Sequence, residues 1–189
     1  FLFEKISSLL LDIPIIYELS QVILAPGANK AIVDEIRQIL KKLPPSKKIL
    51  DVGCGPESWL WKLGLRPVGL DLSTKYIQSF IKTSGSNGIV GSADAIPHDN
   101  NSFNSVWSIG LLHHLHDILV KSSLKEMLRV CHKEGHVIIF DAVLPKSRSH
   151  RPIAWLIRRL DRGRYMRNEK ELLSLIPHNY KIINKKRIT

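Results

Sequence analysis

The sequence lacks several features that would place it outside the ordinary globular proteins. Only two cysteines occur among its 189 residues, Cys54 and Cys131, and their wide separation indicates neither a disulfide framework nor a zinc site. No apolar run reaches about 18 residues, so a transmembrane helix is not predicted. The opening FLFEKISSLLLDIPII has no basic leader and two early acids, which is poor signal-peptide chemistry. These absences favour a protein of the reducing cytoplasm.

Acidic residues are scarce near one end of the chain. Residues 146–189 hold 13 Lys and Arg against 3 Asp and Glu, whereas the rest of the chain is almost neutral. A basic lobe attached to a neutral body predicts an anionic partner at one surface. The candidates are a phosphorylated or carboxylated substrate, a lipid headgroup and nucleic acid.

Helix patterns alternate with short apolar strands through the middle of the chain, which predicts βαβ units and a parallel sheet. One domain is expected, with an N-terminal helical cap (1–45), a core (46–145), and a basic insertion with a last strand (146–189). The predicted helices are 3–24 with a break at Pro14, 28–43, near 57–63, 73–83, 117–131, 150–160 and 168–176. The predicted strands are 48–52, 67–70, 88–91, 103–109, 136–143 and the run 180–188.

A glycine turn follows the first predicted strand, in ILDVGCGPES. Such a turn brings bare backbone up to a ligand, although a purely structural βα turn with a capping Asp is the alternative. Further acids follow the next strands: Asp71 stands 18 residues after Gly53, and Asp94 follows the third strand. In a doubly wound sheet these strand ends meet at one edge, and Asp71 is placed to accept hydrogen bonds from ribose hydroxyls.

Glu57 stands where a dinucleotide-binding loop would need a third glycine or alanine. Its carboxylate would face the pyrophosphate that such a loop cradles, so a dinucleotide is disfavoured. A nucleoside cofactor that has no phosphate and carries positive charge meets no such objection.

Four blocks in order, LDVGCGP, VGLDLS, SADAIPHDNNSFNSVWSIGLLHHLHD and EMLRVCHKEGHVIIFD, resemble the class I S-adenosylmethionine-dependent methyltransferases, in the small-molecule branch that includes quinone-biosynthesis C-methyltransferases. The resemblance implies an α/β, Rossmann-like doubly wound sheet, mostly parallel, with helices on both faces. It also implies an enzyme that uses S-adenosylmethionine and releases S-adenosylhomocysteine. The family's sheet ends in an antiparallel hairpin, for whose final strand no sequence remains, so the expected sheet ends one strand short or the chain is truncated.

The same resemblance implies roles for individual residues. The loop Gly53, Cys54 and Gly55 passes beneath the methionine part, while Asp51 orients the loop and the cofactor's amino group. Asp71 binds the ribose hydroxyls. The remaining implied contacts are Leu72 beside the adenine, Asp94 and Ala95 at the adenine edge, and Ser108, Ile109 and Leu112 along the methionine and sulfonium end. Cys54 is interpreted as a small filler of the turn and not as a nucleophile.

Three histidines, His113, His114 and His116, follow the fourth core strand where the substrate would enter. His114 is our first candidate for a catalytic base, because histidine titrates near neutrality. The alternatives are helix capping, packing, or a metal site, on which so short a turn does not easily converge. No metal is predicted.

The segment 151–167 combines an apolar helical stripe with several arginines. It is a solvated helix, a clamp for an anionic substrate, or a contact with an anionic membrane surface. Tyr17 is a candidate lid over the cofactor, with plain packing as the alternative.

The predicted function is methyl transfer to a small or lipid-like acceptor. A nucleic-acid methyltransferase is less favoured, because SIGLLHH lacks an Asn/Asp-Pro-Pro-aromatic tetrad, and an inactive cofactor-binding scaffold is the other alternative.

Overall fold

A computed structural model describes residues 28–45, 48–144, 165–178 and 180–187. Its α-helices are α1 (Ala28–Lys42), α2 (Thr74–Ser84), α3 (Asp117–Val130) and α4 (Glu169–Ser174). Its strands are β1 (Ile49–Val52), β2 (Val68–Asp71), β3 (Gly88–Val90), β4 (Phe103–Ile109) and β5 (Cys131–Phe140). Short 3₁₀ helices span Trp59–Leu63 and Leu112–His114.

The five strands form one sheet in the order β3-β2-β1-β4-β5, and every neighbouring pair is parallel. The chain therefore winds outward from β1 through β2 to β3, and then crosses to β4 and β5 on the other side. The strand order reverses between β1 and β4. In open α/β sheets this is where a crevice forms beyond the carboxyl ends of the strands.

Both faces of the sheet are covered, as the predicted doubly wound fold requires. On one face, Leu50 and Val106 pack with Met127 of α3. On the other face, Ile49 and Trp107 pack with Ile36 of α1. All four residues of β1 are buried, which explains why this strand is a continuous apolar run interrupted only by Asp51. The predicted Rossmann-like architecture is confirmed.

Most predicted elements lie within a few residues of their expected bounds, and β4 coincides with its prediction. The helix expected near 57–63 is the 3₁₀ helix that begins after Ser58 and ends at Gly64. The strand expected at 136–143 is wrong at both ends, because β5 starts directly after α3 and ends before Asp141. The predicted helices at 3–24 and 150–160 lie outside the described residues. Among the described residues, no helix is long and apolar enough to cross a membrane.

The strand predicted at 180–188 is wrong for its described part, since residues 180–187 belong to no strand. Side-chain contacts hold this segment instead of a backbone ladder. The Lys186 ammonium contacts Glu35 of α1 at 2.5 Å, and Arg187 donates to the carbonyl of Leu144 at 2.8 Å. Ile183 is 74% exposed, so the apolar pattern that predicted the strand finds no sheet to pack on among the described residues.

Candidate functional site

Chemically active side chains gather at the carboxyl ends of four strands. Asp51 lies near the end of β1, Asp71 ends β2, Ser108 lies near the end of β4, and Asp141 follows β5. Because these strands are parallel neighbours, their carboxyl ends lie along the same edge of the sheet. The predicted site residues are therefore brought together at the topological switch point.

The glycine turn after β1 has the backbone that its sequence predicts. Gly53 and Gly55 have φ angles of 73° and 62°, in the left-handed region that favours glycine. The N–H groups of Gly53 and Cys54 both donate to the carbonyl of Leu70, at 2.8 and 3.1 Å. A Cβ on Gly53 would lie 2.8 Å from the Leu111 side chain, whereas a Cβ on Gly55 would meet nothing within 4 Å. The turn is thus packed at Gly53 and open at Gly55.

Asp51 is only 2% exposed beneath this turn, and the Ser58 hydroxyl donates to its carboxylate at 2.5 Å. Burial raises the pKa of Asp51 to about 6; the Ser58 hydrogen bond lowers it and the negative charge of Asp71 raises it further. Sequence analysis missed Ser58, whose only local signal was its position as the cap before a short helix. A buried, partly charged acid in this place suits a cationic ligand group.

Asp71 holds the glycine turn to the start of α2. One carboxylate oxygen accepts from the Gly55 N–H at 3.0 Å, and the other accepts from the Ser73 N–H at 2.9 Å. Each carboxylate oxygen has a second lone pair, so the group keeps acceptor capacity for two ligand hydroxyls. The neighbouring Leu72 is 75% exposed, as expected of a side chain that would cover a flat ligand ring.

Asp94 and Ala95 lie in the connection between β3 and β4, in a turn that starts beside Asp71. The Gly91 N–H donates to the Asp71 carbonyl at 3.0 Å, and the Ser92 hydroxyl donates to one oxygen of Asp94. The Ala95 N–H donates to the Ser92 carbonyl at 3.1 Å. That N–H is therefore used inside the turn, and its implied contact with adenine stays a prediction.

The end of β4 lines the space between the turn and β5. Ser108 is fully buried, and its hydroxyl has no hydrogen-bond partner among the described residues. Leu112 is buried and Ile109 is half-buried, while Gly110 turns the chain with a φ of 75°. A buried hydroxyl without a partner is costly, so Ser108 is a natural contact for a polar ligand group.

The three histidines have different surroundings. The His113 Nδ1 lies 2.5 Å from a carboxylate oxygen of Asp141, and the two side chains are 11% and 1% exposed. His114 is exposed, with its ring centroid 4.1 Å from that of His113. His116 caps α3, because its Nδ1 accepts from the Leu119 N–H at 3.4 Å. Among the three, His113 has the environment of an oriented base.

Asp141 is a site residue that sequence analysis missed. Its carboxylate accepts from the Leu112 N–H at 2.5 Å and from the Ala142 N–H at 2.7 Å, in addition to its contact with His113. The available signal was an acid directly after a strand, as for Asp71. Its pairing with a histidine 28 positions earlier was not readable from the sequence.

Arg167 belongs to the segment predicted as an anion clamp, but its guanidinium is occupied. The side chain is buried and donates to the carbonyls of Leu112 and Leu115, at 3.0 and 2.6 Å, and to Asp117 at 2.8 Å. The clamp interpretation is wrong for this arginine, because a fully paired guanidinium has no donor left for a substrate. Residues 151–164 and Tyr17 lie outside the described residues.

The thiol of the glycine turn adds no chemistry to the site. Burial, with the charges of Asp51 and Asp71, raises the pKa of Cys54 far above its usual range, so the thiol stays protonated. The described part of the chain contains no group of three His, Cys, Asp or Glu residues that could hold a metal ion.

Solved structures from three microorganisms share this fold. A Thermotoga maritima protein, titled an S-adenosylmethionine-dependent methyltransferase and possible histamine N-methyltransferase, is 17% identical over 88% of this chain and 77% of its own, with a TM-score of 0.65. The PH0226 protein of Pyrococcus horikoshii is 21% identical over 74% of this chain, with a TM-score of 0.57, and YcgJ of Bacillus subtilis is 18% identical over 74%, with a TM-score of 0.58. This chain spans 66% and 64% of the latter two.

At such identities these likenesses show the fold, and a comparison of the sequence with family models adds one further match. Residues 50–139, from β1 to the end of β5, match the family model described as a methyltransferase domain. The match covers the glycine turn, Asp71, Asp94 and the histidine turn, in the order expected for this family. By this match and by its fold, the central part of the chain resembles the S-adenosylmethionine-dependent methyltransferases.

Proposed function

We propose that this protein transfers a methyl group from S-adenosylmethionine to a small or lipid-like acceptor whose proton is taken by His113. The observation that carries the proposal is the buried pair of His113 and Asp141 at the carboxyl ends of β4 and β5. An oriented histidine is the group that an acceptor hydroxyl or acidic carbon needs, because such nucleophiles react after losing a proton.

The donor side of the site suits a cationic nucleoside without phosphate. Asp51 and Asp71 place two carboxylates at the glycine turn, Asp94 adds a third in the turn after β3, and a Cβ on Gly55 would meet nothing within 4 Å. When bound, S-adenosylmethionine supplies a methyl group already activated by a sulfonium. We assign Asp71 to the ribose hydroxyls, Asp94 to the adenine amine and Asp51 to the amino group, as the resemblance implies. Glu57 is exposed and obstructs none of these contacts.

The acceptor side depends on how Asp141 orients His113. Two backbone N–H groups fix the carboxylate, which lies 2.5 Å from the ring Nδ1. We assign the hydrogen between them to Nδ1, because an ionised carboxylate can only accept. In that tautomer the basic lone pair is on Nε2, which is the arrangement of a general base. The acceptor proton moves to this nitrogen as the methyl group is attacked in line. Substrates of the quinol type, with a phenolic hydroxyl or an acidic ring carbon, satisfy this chemistry.

A nucleic-acid acceptor is less well supported by the described basic residues. Lys185 and Lys186 pair with Glu169 and Glu35, and Arg187 also contacts Glu169. Arg167 is buried and donates to the protein's own carbonyls, so it is not part of a basic surface. A cytoplasmic location and membrane contact through residues 151–167 stay proposals. Flotation of the protein with anionic vesicles would support the membrane contact. Salt-dependent binding to RNA would favour the nucleic-acid alternative.

Donor binding is tested by calorimetric titration with S-adenosylhomocysteine. The wild-type protein should bind, and Asp71→Ala should weaken binding by about 1 to 3 kcal/mol, because hydroxyl contacts and the hold on the turn are lost. Asp34→Ala, an exposed acid of α1, is the matched control and should bind as the wild type does. Absence of wild-type binding would refute both the enzyme and the inactive-scaffold alternative.

Methyl transfer is tested by S-adenosylhomocysteine release with a panel of phenols, quinols, amines and RNA. His113→Gln should lower kcat by about 10²-fold or more at unchanged S-adenosylhomocysteine affinity, since only the proton acceptor is removed. His114→Ala, at our first candidate from the sequence, should have the smaller effect. Full activity of His113→Gln would remove this residue from the mechanism, and donor binding without turnover of any acceptor would leave the scaffold alternative standing.

A further inference from the structure

The turn that carries Asp94 has no regular structure of its own. It lies in the connection between β3 and β4, residues 91–102, which contains no helix or strand. Its N-terminal side is tied to β2 by the bond between the Gly91 N–H and the Asp71 carbonyl. A carboxylate that must meet one amine of a ligand needs its turn fixed on the other side as well.

Two residues of α3 supply that second attachment. Glu126 accepts from the Ile96 N–H at 2.9 Å, and Arg129 donates to the Ile96 carbonyl at 2.9 Å. The two peptide groups of Ile96, directly after Ala95, are therefore held from both sides. Arg129 also donates to the His98 carbonyl at 2.7 Å and to the Asn100 side chain at 2.9 Å.

Glu126 and Arg129 also hold each other. Arg129 Nε donates to Glu126 Oε1 at 2.7 Å and its Nη2 donates to Oε2 at 2.8 Å, a bidentate pair at i,i+3 spacing on the helix. The hydrogen bond from Arg129 holds the pKa of Glu126 below its usual range. The carbonyl of Arg129 accepts from Asn101, whose φ of 57° ends the connection in a left-handed turn. The pair is thus a preorganised latch, by which we mean Glu126 and Arg129 with their contacts to residues 96–101.

We propose that the Glu126–Arg129 latch positions the Asp94 turn and thereby sets how strictly the site distinguishes adenine from other purines. The inference rests on the proposed donor binding, in which Asp94 accepts from the adenine amine. Ser92 occupies one oxygen of Asp94, which leaves the other oxygen for that amine. The latch residues are positioning residues, because they contact only the connection that carries the turn.

The experiment compares two probes by calorimetry: S-adenosylhomocysteine and S-inosylhomocysteine, which has an oxygen in place of the adenine amine. The wild type should prefer the first, and Asp94→Asn should reduce that preference. Arg129→Met should weaken S-adenosylhomocysteine binding about tenfold and S-inosylhomocysteine binding much less, so that the ratio of the two Kd values falls. Glu126→Gln, which keeps an acceptor for the Ile96 N–H, should show a smaller change in the same direction.

Arg66→Met is the matched control, because Arg66 is exposed and its side chain donates to the carbonyl of Leu65, outside the latch. Hydrogen exchange should show faster exchange at residues 92–101 in Arg129→Met but not in the control. If Arg129→Met fails to fold, Glu126→Gln carries the same comparison. An unchanged Kd ratio in the folded latch variants overturns the inference, as does a wild type that binds both probes equally. A wild type that binds neither probe refutes the proposed function itself, and the inference with it.

Discussion

Asp51 lies buried beneath the glycine turn, where its carboxyl group ionises less readily than it would in water. Burial is the main reason that its pKa rises from 3.8 to about 6, because a buried charge loses hydration. The Ser58 hydroxyl offsets part of this effect and fixes the orientation of the carboxylate. A cationic ligand group would stabilise the charged form of the carboxylate, so we expect Asp51 to ionise fully when such a ligand binds.

The pH dependence of stability should reveal this residue. Between about pH 4 and 6 folded Asp51 holds a proton that the unfolded chain has released, so its contribution is present below the unfolded pKa and is lost as pH rises through 6. Because asparagine does not titrate, the Asp51→Asn variant does not lose unfolding free energy in this way as the pH rises. The unfolding free energy of Asp51→Asn relative to wild type should therefore increase by roughly 2 to 3 kcal/mol from pH 4 to pH 8.

Urea denaturation across this pH range measures the difference, and other titrating groups cancel in the comparison. Asp34→Asn is the control, because Asp34 is about half exposed on α1. A difference between Asp51→Asn and wild type that does not vary with pH would show that Asp51 keeps an ordinary pKa.

At the scale of elements, the stability of the glycine turn depends on the side chain packed against it as well as on its own φ and ψ angles. Both Gly53 and Gly55 have positive φ, but only Gly53 lies against the Leu111 side chain of the β4 exit. The turn after β1 and the segment after β4 are therefore packed together across the switch point. The glycine turn and the turn that carries the three histidines thus form one packed unit.

The two glycines should consequently differ in their tolerance of alanine. Gly55→Ala should cost about 1 to 2 kcal/mol of unfolding free energy, which is the left-handed backbone term alone. Gly53→Ala should cost roughly 2 to 4 kcal/mol, because its Cβ also presses on Leu111.

Urea denaturation of both variants, together with Leu111→Ala and the Gly53→Ala/Leu111→Ala double variant, separates the two terms. The double variant should recover about 1 kcal/mol relative to additivity, because the clash is relieved. Equal costs at Gly53 and Gly55 would show that the contact with Leu111 is not tight.

At the scale of the molecule, a long-range clasp, by which we mean Tyr165 and Arg167 with their contacts to residues 112–117, ties the end of the segment 151–167 to the turn that carries the histidines. Arg167 donates to the carbonyls of Leu112 and Leu115, while the Tyr165 N–H donates to the His113 carbonyl at 3.1 Å. The Leu144 N–H in turn donates to the Arg167 carbonyl at 2.8 Å. The turn that carries the candidate base is therefore held from behind by a segment 50 residues away.

Arg167→Met should lower the unfolding free energy by about 2 to 4 kcal/mol, because it leaves buried carbonyls without donors. Hydrogen exchange at residues 112–117 should accelerate at the same time. Lys170→Met, an exposed cation of the neighbouring helix, is the control and should change neither measurement. Unchanged exchange in a folded Arg167→Met protein would show that the clasp does not hold the turn.

Prediction from the sequence succeeded where the determinants are local. Strand β4 and the glycine turn could be placed because aromatic and branched apolar residues bounded by turn residues, and glycines that allow positive φ, are visible in the sequence. It failed for residues 180–187, because a strand exists only if a partner offers a ladder. It also placed Arg167 among surface cations, since nothing local shows that an arginine is surrounded by carbonyls.

The sequence by itself determined the parallel α/β architecture and the acids at the strand ends, since these depend on patterns within a few residues. Only the tertiary structure decided that His113 pairs with Asp141, and that Glu126 and Arg129 hold the Asp94 turn. Each of those contacts joins residues about 30 positions apart, and side-chain hydrogen bonds at such separation depend on how the elements pack against one another.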